Sequence, residues 1–316
     1  MYMDKDSRIY VAGHTGLLGS ALIKKLENNG FHNIIARTHK ELDLTRYDDV
    51  KSFFRKNKPE YVFLAAGTTG GIIANRTYPY RFLHINIAIQ DNIFEVANEY
   101  SVKHLVFYGS SCIYPKHSSQ PIKEEYLLSG KIEETSEAYA IAKMAGVIAC
   151  KTYNTQFNTN RFIALVPNTM YGPSDHFDTD NSHVLSALIT KLHISKENKE
   201  KKTILWGNGS PRREFIFSED VADASIFAVE HSKELENKHY NVGVGIDISI
   251  KDLANMIAST VGYNGEISWD KSMPDGVPRK LLDSNRFMDL GWKHSVPLEA
   301  GLSLAYRWYL ENNQDL

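Results

Sequence analysis

The chain has 316 residues, with 36 basic and 38 acidic side chains and a formal charge of −2 at pH 7. That balance sets up no field that would gather nucleic acid or an anionic membrane unaided, so the expected partner is a small molecule. No apolar run approaches the ~18 residues of a membrane span, and the amino terminus MYMDKDSRIY lacks a signal peptide's apolar stretch; the expected location is the cytoplasm. Only Cys112 and Cys150 are present. Two cysteines make no disulfide framework, both are read as reduced thiols, and no metal is expected.

From residue 8 to about 165, short β-rich runs alternate with helical patterns, as in parallel βαβ units. Strands are expected at 8–12, 33–36, 61–64, 104–108 and 161–165, with helices at 17–28, 47–57, 84–99 and 136–153. The expected fold is α/β, a doubly wound parallel sheet of Rossmann type with a smaller C-terminal α/β substrate lobe. Residues 1–168, with a returning segment near 214–246, form the first unit, and 169–316 mainly the second. The stretch YGPSDHFDTDN is the turn-rich entry to that lobe, and the lysine–glutamate run 196–202 reads as a solvated loop.

The first strand runs into VAGHTGLLGS, with glycines at 13, 16 and 19 before a helix. Gly13 permits the tight turn, Gly16 and Leu17 bring backbone and helix amino end to a pyrophosphate, and Gly19 lets helix and strand pack closely. The alternative is an ordinary strand-to-helix turn, which would not need three glycines. Eighteen residues beyond Gly19, where an NAD-selecting domain carries an acid, stands Arg37. A cation there suits the 2′-phosphate of NADP; the alternative is a plain surface residue. Asp43 and Leu44 are candidates to meet the adenine, and Ala65 follows the third expected strand.

Two tyrosine–lysine pairs have the spacing of one helical turn, Tyr47 with Lys51 and Tyr139 with Lys143. Tyr47 sits beside Asp48 and Asp49 on an early helix, which describes a solvated face. Tyr139 follows the fourth strand, whose carboxyl end carries GSSCIY. Ligands of parallel sheets bind at that end. Ser110 can hydrogen-bond a substrate carbonyl there while Tyr139 protonates its oxygen. Lys143 is expected to grip the nicotinamide ribose and to hold the phenol's pKa down.

The glycine turn, the serine run and the tyrosine–lysine pair resemble an extended short-chain dehydrogenase/reductase of the nucleotide-sugar-modifying kind. More narrowly, GSSCIYPK, QPIKEEYLLSG, AYAIAK, NSHVLSALI, PRREF and PDGVPRKLLD resemble the GDP-L-fucose synthases, NADPH-dependent 3,5-epimerases and 4-reductases, over nearly the whole chain. The resemblance implies a reductase triad of Ser110, Tyr139 and Lys143, with NADP(H) as cofactor and a GDP-4-keto sugar as substrate. It implies that Cys112 and His183 exchange protons at the carbons flanking the ketone. A ketone acidifies those hydrogens, and a thiol and an imidazole of pKa ~8.5 and ~6.5 suit the task. The alternatives are a small buried hydrophobe for Cys112 and, for His183, a helix start capped by Asn181 and Ser182.

The resemblance further implies cofactor contacts from Pro167 and His183 and substrate contacts from Ser111 and Asn168. Arg213 and Lys280 are implied near the diphosphate or guanosine, and Trp206 in the same pocket or, alternatively, in second-lobe core. A homodimer built on the helices flanking the tyrosine is also implied. Three departures stand out: Thr15 where those synthases carry arginine, AAGTTGGI where they have a lysine–valine pair before two glycines, and a threonine in PNTMY where this superfamily puts asparagine. Together they point to a pocket shaped around a different GDP-4-keto sugar. Three readings follow: a fucose synthase proper, a sister 4-ketoreductase acting on, for example, a 6-deoxyheptose intermediate, or a non-catalytic NADP-binding sensor. An intact triad argues against the sensor.

Overall fold

The computed structural model describes residues 3–179, 182–273 and 276–313. Asn181 of the expected helix cap, and Pro274 and Asp275 of the PDGVPRKLLD stretch, lie outside the described residues. The first part runs β1 (Ile9–Ala12), α1 (Leu17–Asn28), β2 (Ile34–Ile35), α2 (Tyr47–Asn57), β3 (Tyr61–Leu64), α3 (Ile72–Thr77), α4 (Pro79–Glu99), β4 (His104–Tyr108), α5 (Glu137–Gln156) and β5 (Phe162–Pro167). There follow β6 (Thr169–Tyr171), α6 (Val184–Glu197), β7 (Lys202–Trp206), β8 (Arg212–Arg213), β9 (Phe215–Phe217), α7 (Ser218–Glu230) and β10 (His239–Val242). The chain closes with β11 (Ile248–Ser249), α8 (Ile250–Val261), β12 (Glu266–Asp270), β13 (Arg279–Lys280), α9 (Asn285–Met288) and α10 (Leu298–Asn312).

Six parallel strands form the main sheet in the order β10-β5-β4-β3-β1-β2. A parallel sheet is covered on both faces, which is why IYVA of β1 and YVFL of β3 are apolar throughout and wholly buried. On one face Leu18, Leu22 and Leu26 of α1 and Val221 and Val229 of α7 join the strand side chains in one cluster. On the other, Val50 and Phe54 of α2, Ile93 and Phe94 of α4 and Val147 of α5 build a second. Each such fully buried Leu or Phe contributes roughly 1.5–3 kcal/mol over its exposed state. A third cluster forms from Leu185 and Leu192 of α6, Leu253 and Ile257 of α8 and Leu302 of α10.

The expected elements of the first part form, with shifted ends. Helix α4 begins at Pro79 rather than 84, because proline is favoured at a helix's first turn, where its missing N–H is no loss. The strand expected at 33–36 shrinks to two residues. The run 196–202 is not all loop: α6 reaches Glu197 and β7 starts at Lys202. Ser182 does not cap α6; its hydroxyl donates to the His176 carbonyl at 2.6 Å and accepts the Asp178 N–H at 2.7 Å.

From β1 the chain crosses to β2 on one side and then to β3 on the other, so the crevice of a doubly wound sheet opens between β1 and β3. At the opposite side, β10 pairs with β5 and ends beside Asn168, whose N–H donates to Val242 O at 3.0 Å. There the two parts are joined by Glu214, which is fully buried. Its carboxylate accepts the N–H groups of Val244 and Gly245, each at 2.7 Å, the N–H of Leu282 at 3.0 Å and the Asn168 side-chain amide. Burial raises the carboxyl's pKa while these donors work the other way.

Glu214→Gln keeps the shape but turns an N–H₂ toward N–H donors. We expect a loss of about 1–3 kcal/mol, read as a lower urea midpoint at unchanged slope. An unchanged midpoint would show that the four donors do not depend on a carboxylate.

Candidate active site

The glycine turn has its three residues for three reasons. Gly13 has φ +83°, and a Cβ there would come within 2.6 Å of Ala66 N. At Gly19 a Cβ would sit 1.9 Å from Gly13 O, so helix and turn could not pack. At Gly16 it would meet nothing nearer than Gly13 O at 3.5 Å. Protein packing therefore tolerates a side chain at Gly16, and the bare backbone there leaves room for a ligand. Gly16 also begins α1 with no side-chain cap and no acid in the first turn, and Leu17 is the first helical residue. Free N–H groups and an uncompensated helix dipole at this end are what a pyrophosphate needs.

Arg37 lies exposed just beyond β2, its guanidinium donating to the Ala36 carbonyl at 2.6 Å. Asp43 accepts from Thr45 N and Oγ1 at 2.9 and 2.7 Å, and these bonds lower its pKa; Leu44 is buried. Ala65 follows β3 at the crevice, and Pro167 ends β5.

At the carboxyl end of β4 a single helical turn, Ser111–Ile113, is capped by Ser110, whose hydroxyl accepts the Cys112 N–H at 3.3 Å. Ser110 lies near enough to Tyr139 to act on its phenol, and the Tyr139 ring packs edge-on against Phe82 at 6.2 Å. The expected depression of the phenol's pKa is not what the site does. Burial pushes Tyr139 up, the Cys112 charge adds to the rise, and only Ser110 works downward. The reason is where Lys143 goes: its ammonium donates to the Tyr108 carbonyl at 2.9 Å and lies 4.9 Å from the centre of the Phe107 ring. Burial pulls that ammonium down to about 8. Among the described residues no carboxylate pairs with it. A buried cation with donors to spare is the mark of a group kept for a ligand.

The second tyrosine–lysine pair is a surface feature, as its neighbours suggested. Tyr47 and Lys51 both reach Glu99, at 3.3 and 2.9 Å.

Cys112 is half-buried beside Lys280, whose Nζ lies 3.6 Å from its sulfur. Burial opposes the thiolate, but the Lys280 ammonium and hydrogen bonds from Ser110, Lys280 and Ser136 outweigh it and hold the thiol below its ordinary value. Lys280 thus stands beside Cys112. Arg213 is its cross-strand neighbour. Burial lowers the pKa of this guanidinium, and the Cys112 charge raises it. Asn168 is tied to the scaffold. It is 4% exposed, and its amide serves Glu214 while its oxygen takes the Thr169 N–H at 3.0 Å, so both of its polar groups are engaged by the scaffold. Ser111 is buried in the turn. Trp206 ends β7 at 48% exposure, which removes core packing as its role and leaves an open face for stacking. His183 is exposed just ahead of α6.

Four side chains escaped the sequence reading. Asn86 in α4 holds the loop after β3, accepting Thr68 N and donating to Thr68 O, both at 3.0 Å. Its signal was an amide amid apolar helix residues. Ser136 reaches Cys112 from just before α5. Asp175 takes a hydrogen bond from the Ser186 hydroxyl; burial raises its pKa, and Ser186 and His183 work against the rise. Glu214 sat within the noted PRREF run, with nothing local to mark it.

Residues 9–243 match the family described as NAD dependent epimerase/dehydratase. A putative GDP-L-fucose synthase 2 of Arabidopsis thaliana is 48% identical over 310 residues, 98% of this chain and 94% of that protein. The crystal structure of a GDP-6-OMe-4-keto-L-xylo-heptose reductase from C. jejuni superposes with a TM-score of 0.92 at 37% identity, covering 99% of this chain and 100% of that one. A GDP-mannoheptose C4 reductase from Campylobacter jejuni with NADP bound gives 0.89 at 40% identity, over 98% and 99% of the two chains. With the family match over most of the chain and these identities over nearly its whole length, the chain belongs to the NAD dependent epimerase/dehydratase family, in the branch that also contains GDP-L-fucose synthases.

Proposed function

We propose that this protein is an NADPH-dependent reductase of the 4-ketone of a GDP-4-keto-deoxy sugar, in the making of GDP-sugars for surface polysaccharide. The observation that carries the reading is the grouping of Ser110, Tyr139 and the buried Lys143 ammonium at the sheet's rim, with Ser110 near enough to act on the phenol and Lys143 one helical turn along. Likeness to GDP-L-fucose synthases and to GDP-heptose reductases supports the substrate class.

Bound NADPH supplies the hydride. The residues present fit it: the turn from Gly13 to Gly19 and the start of α1 for the pyrophosphate, Arg37 for the 2′-phosphate, and Lys143 for the ribose. Asp43, Leu44, Ala65, Pro167 and His183 stand along the crevice as further contacts. Ser110 donates a hydrogen bond to the ketone oxygen and orients the carbonyl. Tyr139, kept protonated by its burial, gives its proton to that oxygen as the alcohol forms. Trp206 and Arg213 of the second lobe hold guanosine and diphosphate, the ring by stacking and the anion through the guanidinium. Residues 1–168 with the returning segment near 214–246 serve the cofactor, and 169–316 mainly the GDP-sugar. Reduction needs only the triad. Epimerisation at the flanking carbons is not part of this proposal. Among the described residues no helix is long and apolar enough to cross a membrane, and the proposed location is the cytoplasm.

Tyr139→Phe should slow NADPH oxidation about 10²–10⁴-fold on a panel of GDP-4-keto hexoses and heptoses while still binding NADPH. Full turnover in that variant, or no wild-type turnover on any member of the panel, would overturn the assignment. The preferred member identifies the sugar.

A cofactor-gripping ammonium with its pKa at about 8 is charged below that pH and neutral above it. The kcat/KM for NADPH, which reports the free enzyme, should therefore fall as pH rises through about 8. Lys143→Met should remove that limb together with most of the affinity. A profile flat to about pH 9.5 would separate Lys143 from cofactor binding.

Ile87 of α4 and Ile141 of α5 are 38% and 44% exposed, and we propose that these two helices pair across a homodimer. Sedimentation should return twice the 35.8 kDa chain mass; a monomer at micromolar concentration would reject the dimer.

A further inference from the structure

Cys112 and Lys280 are 168 residues apart in the chain, yet their sulfur and nitrogen lie 3.6 Å from each other. The approach is built by the backbone rather than left to a flexible side chain. The Lys280 carbonyl accepts the Glu214 N–H at 3.3 Å and lies 3.5 Å from the Asn168 amide. The next residues are stitched to the segment beyond the Cys112 turn. Leu281 N donates to Gln120 Oε1 at 2.9 Å, Ile122 N to Leu281 O at 2.7 Å, and Asp283 N to Ile122 O at 2.8 Å. Lys280 is thereby fixed on a strand whose neighbour carries Arg213.

Among the described residues, the unpaired charges around the sulfur have one sign. Lys280 reaches it from β13 and Arg213 acts on it from β8. From its own turn Ser110 and from the segment before α5 Ser136 offer hydrogen bonds, and Tyr139 on α5 is a neutral phenol. Glu133 lines the same small cleft, but Lys116 pairs with it at 2.9 Å, and Arg279, also on the cleft wall, is paired with Asp247. Among the described residues, the uncompensated cations acting at the sulfur are Lys280 and Arg213.

We propose that Lys280 is a positioning residue that holds Cys112 as a thiolate near neutral pH. The role differs from a grip on the nucleotide, and it stands apart from the ketoreductase reading, since the charge of the thiol is measurable without substrate. A cation in contact lowers a thiol's pKa by favouring its charged form, and a protonated thiol is a poor nucleophile.

The test is the rate of iodoacetamide alkylation at Cys112 against pH, followed by peptide mass so that the buried Cys150 does not interfere. In the wild type the midpoint should lie well below the ~8.5 of a free thiol. Lys280→Met should raise it by about a unit or more, roughly a tenfold loss of thiolate at pH 7. Lys280→Arg, which keeps the charge, should restore most of the shift, and Lys280→Gln, which keeps a donor without charge, should not. Circular dichroism and NADPH binding confirm folding; if Lys280→Met does not fold, the Arg and Gln variants decide by the same criterion. An ordinary wild-type midpoint, or midpoints that do not move between Arg and the neutral variants, would overturn the proposal.

Discussion

Glu214 carries a charge into the protein where no lysine or arginine among the described residues pairs with it, and four N–H donors from three separate stretches close around its two oxygens. Taking a carboxylate out of water is affordable only when nearly every lone pair finds a donor. That requirement brings Asn168 at the end of β5, Val244 and Gly245 beyond β10, and Leu282 beyond β13 to one point. The rim of the parallel sheet and the strand that bears Lys280 are thus held in a single frame, and the cleft between the two parts takes its shape from that frame.

Within the cleft, one environment moves three titratable groups in different directions. Burial raises the phenol of Tyr139, with the Cys112 charge adding to the rise, and burial alone lowers the ammonium of Lys143, since in each case the charged form is disfavoured. At Cys112 burial is opposed by a cation in contact, and the cation wins. A protonated phenol, a buried ammonium that can lose its proton near pH 8 and a thiol biased toward its anion form a graded set along one rim. Such a divergence of neighbouring acidities marks a site arranged for proton transfer.

Much of the fold was legible because its signals are local. Four-residue apolar runs between helical periods announced β1, β3 and β4, and the three glycines after β1 announced the turn before α1. The tyrosine–lysine spacing pointed to one helical face, and the order of elements decided which of two such pairs stands at the sheet's carboxyl end. Helix and strand ends were less legible, as at α4, where Pro79 starts the helix a turn and a half early.

The sequence by itself determined the doubly wound sheet, the dinucleotide turn and the residue types of the triad, since periodicity and one-turn spacing are properties of neighbouring residues. It could not determine charge or contact across long separations. That Lys143 turns to the Tyr108 carbonyl, that Asn168 is drawn to Glu214 and that Lys280 meets Cys112 were decided only when distant strands packed. The physical reason is that pKa and hydrogen-bond partnership depend on distance and desolvation, and both arise only in the folded chain.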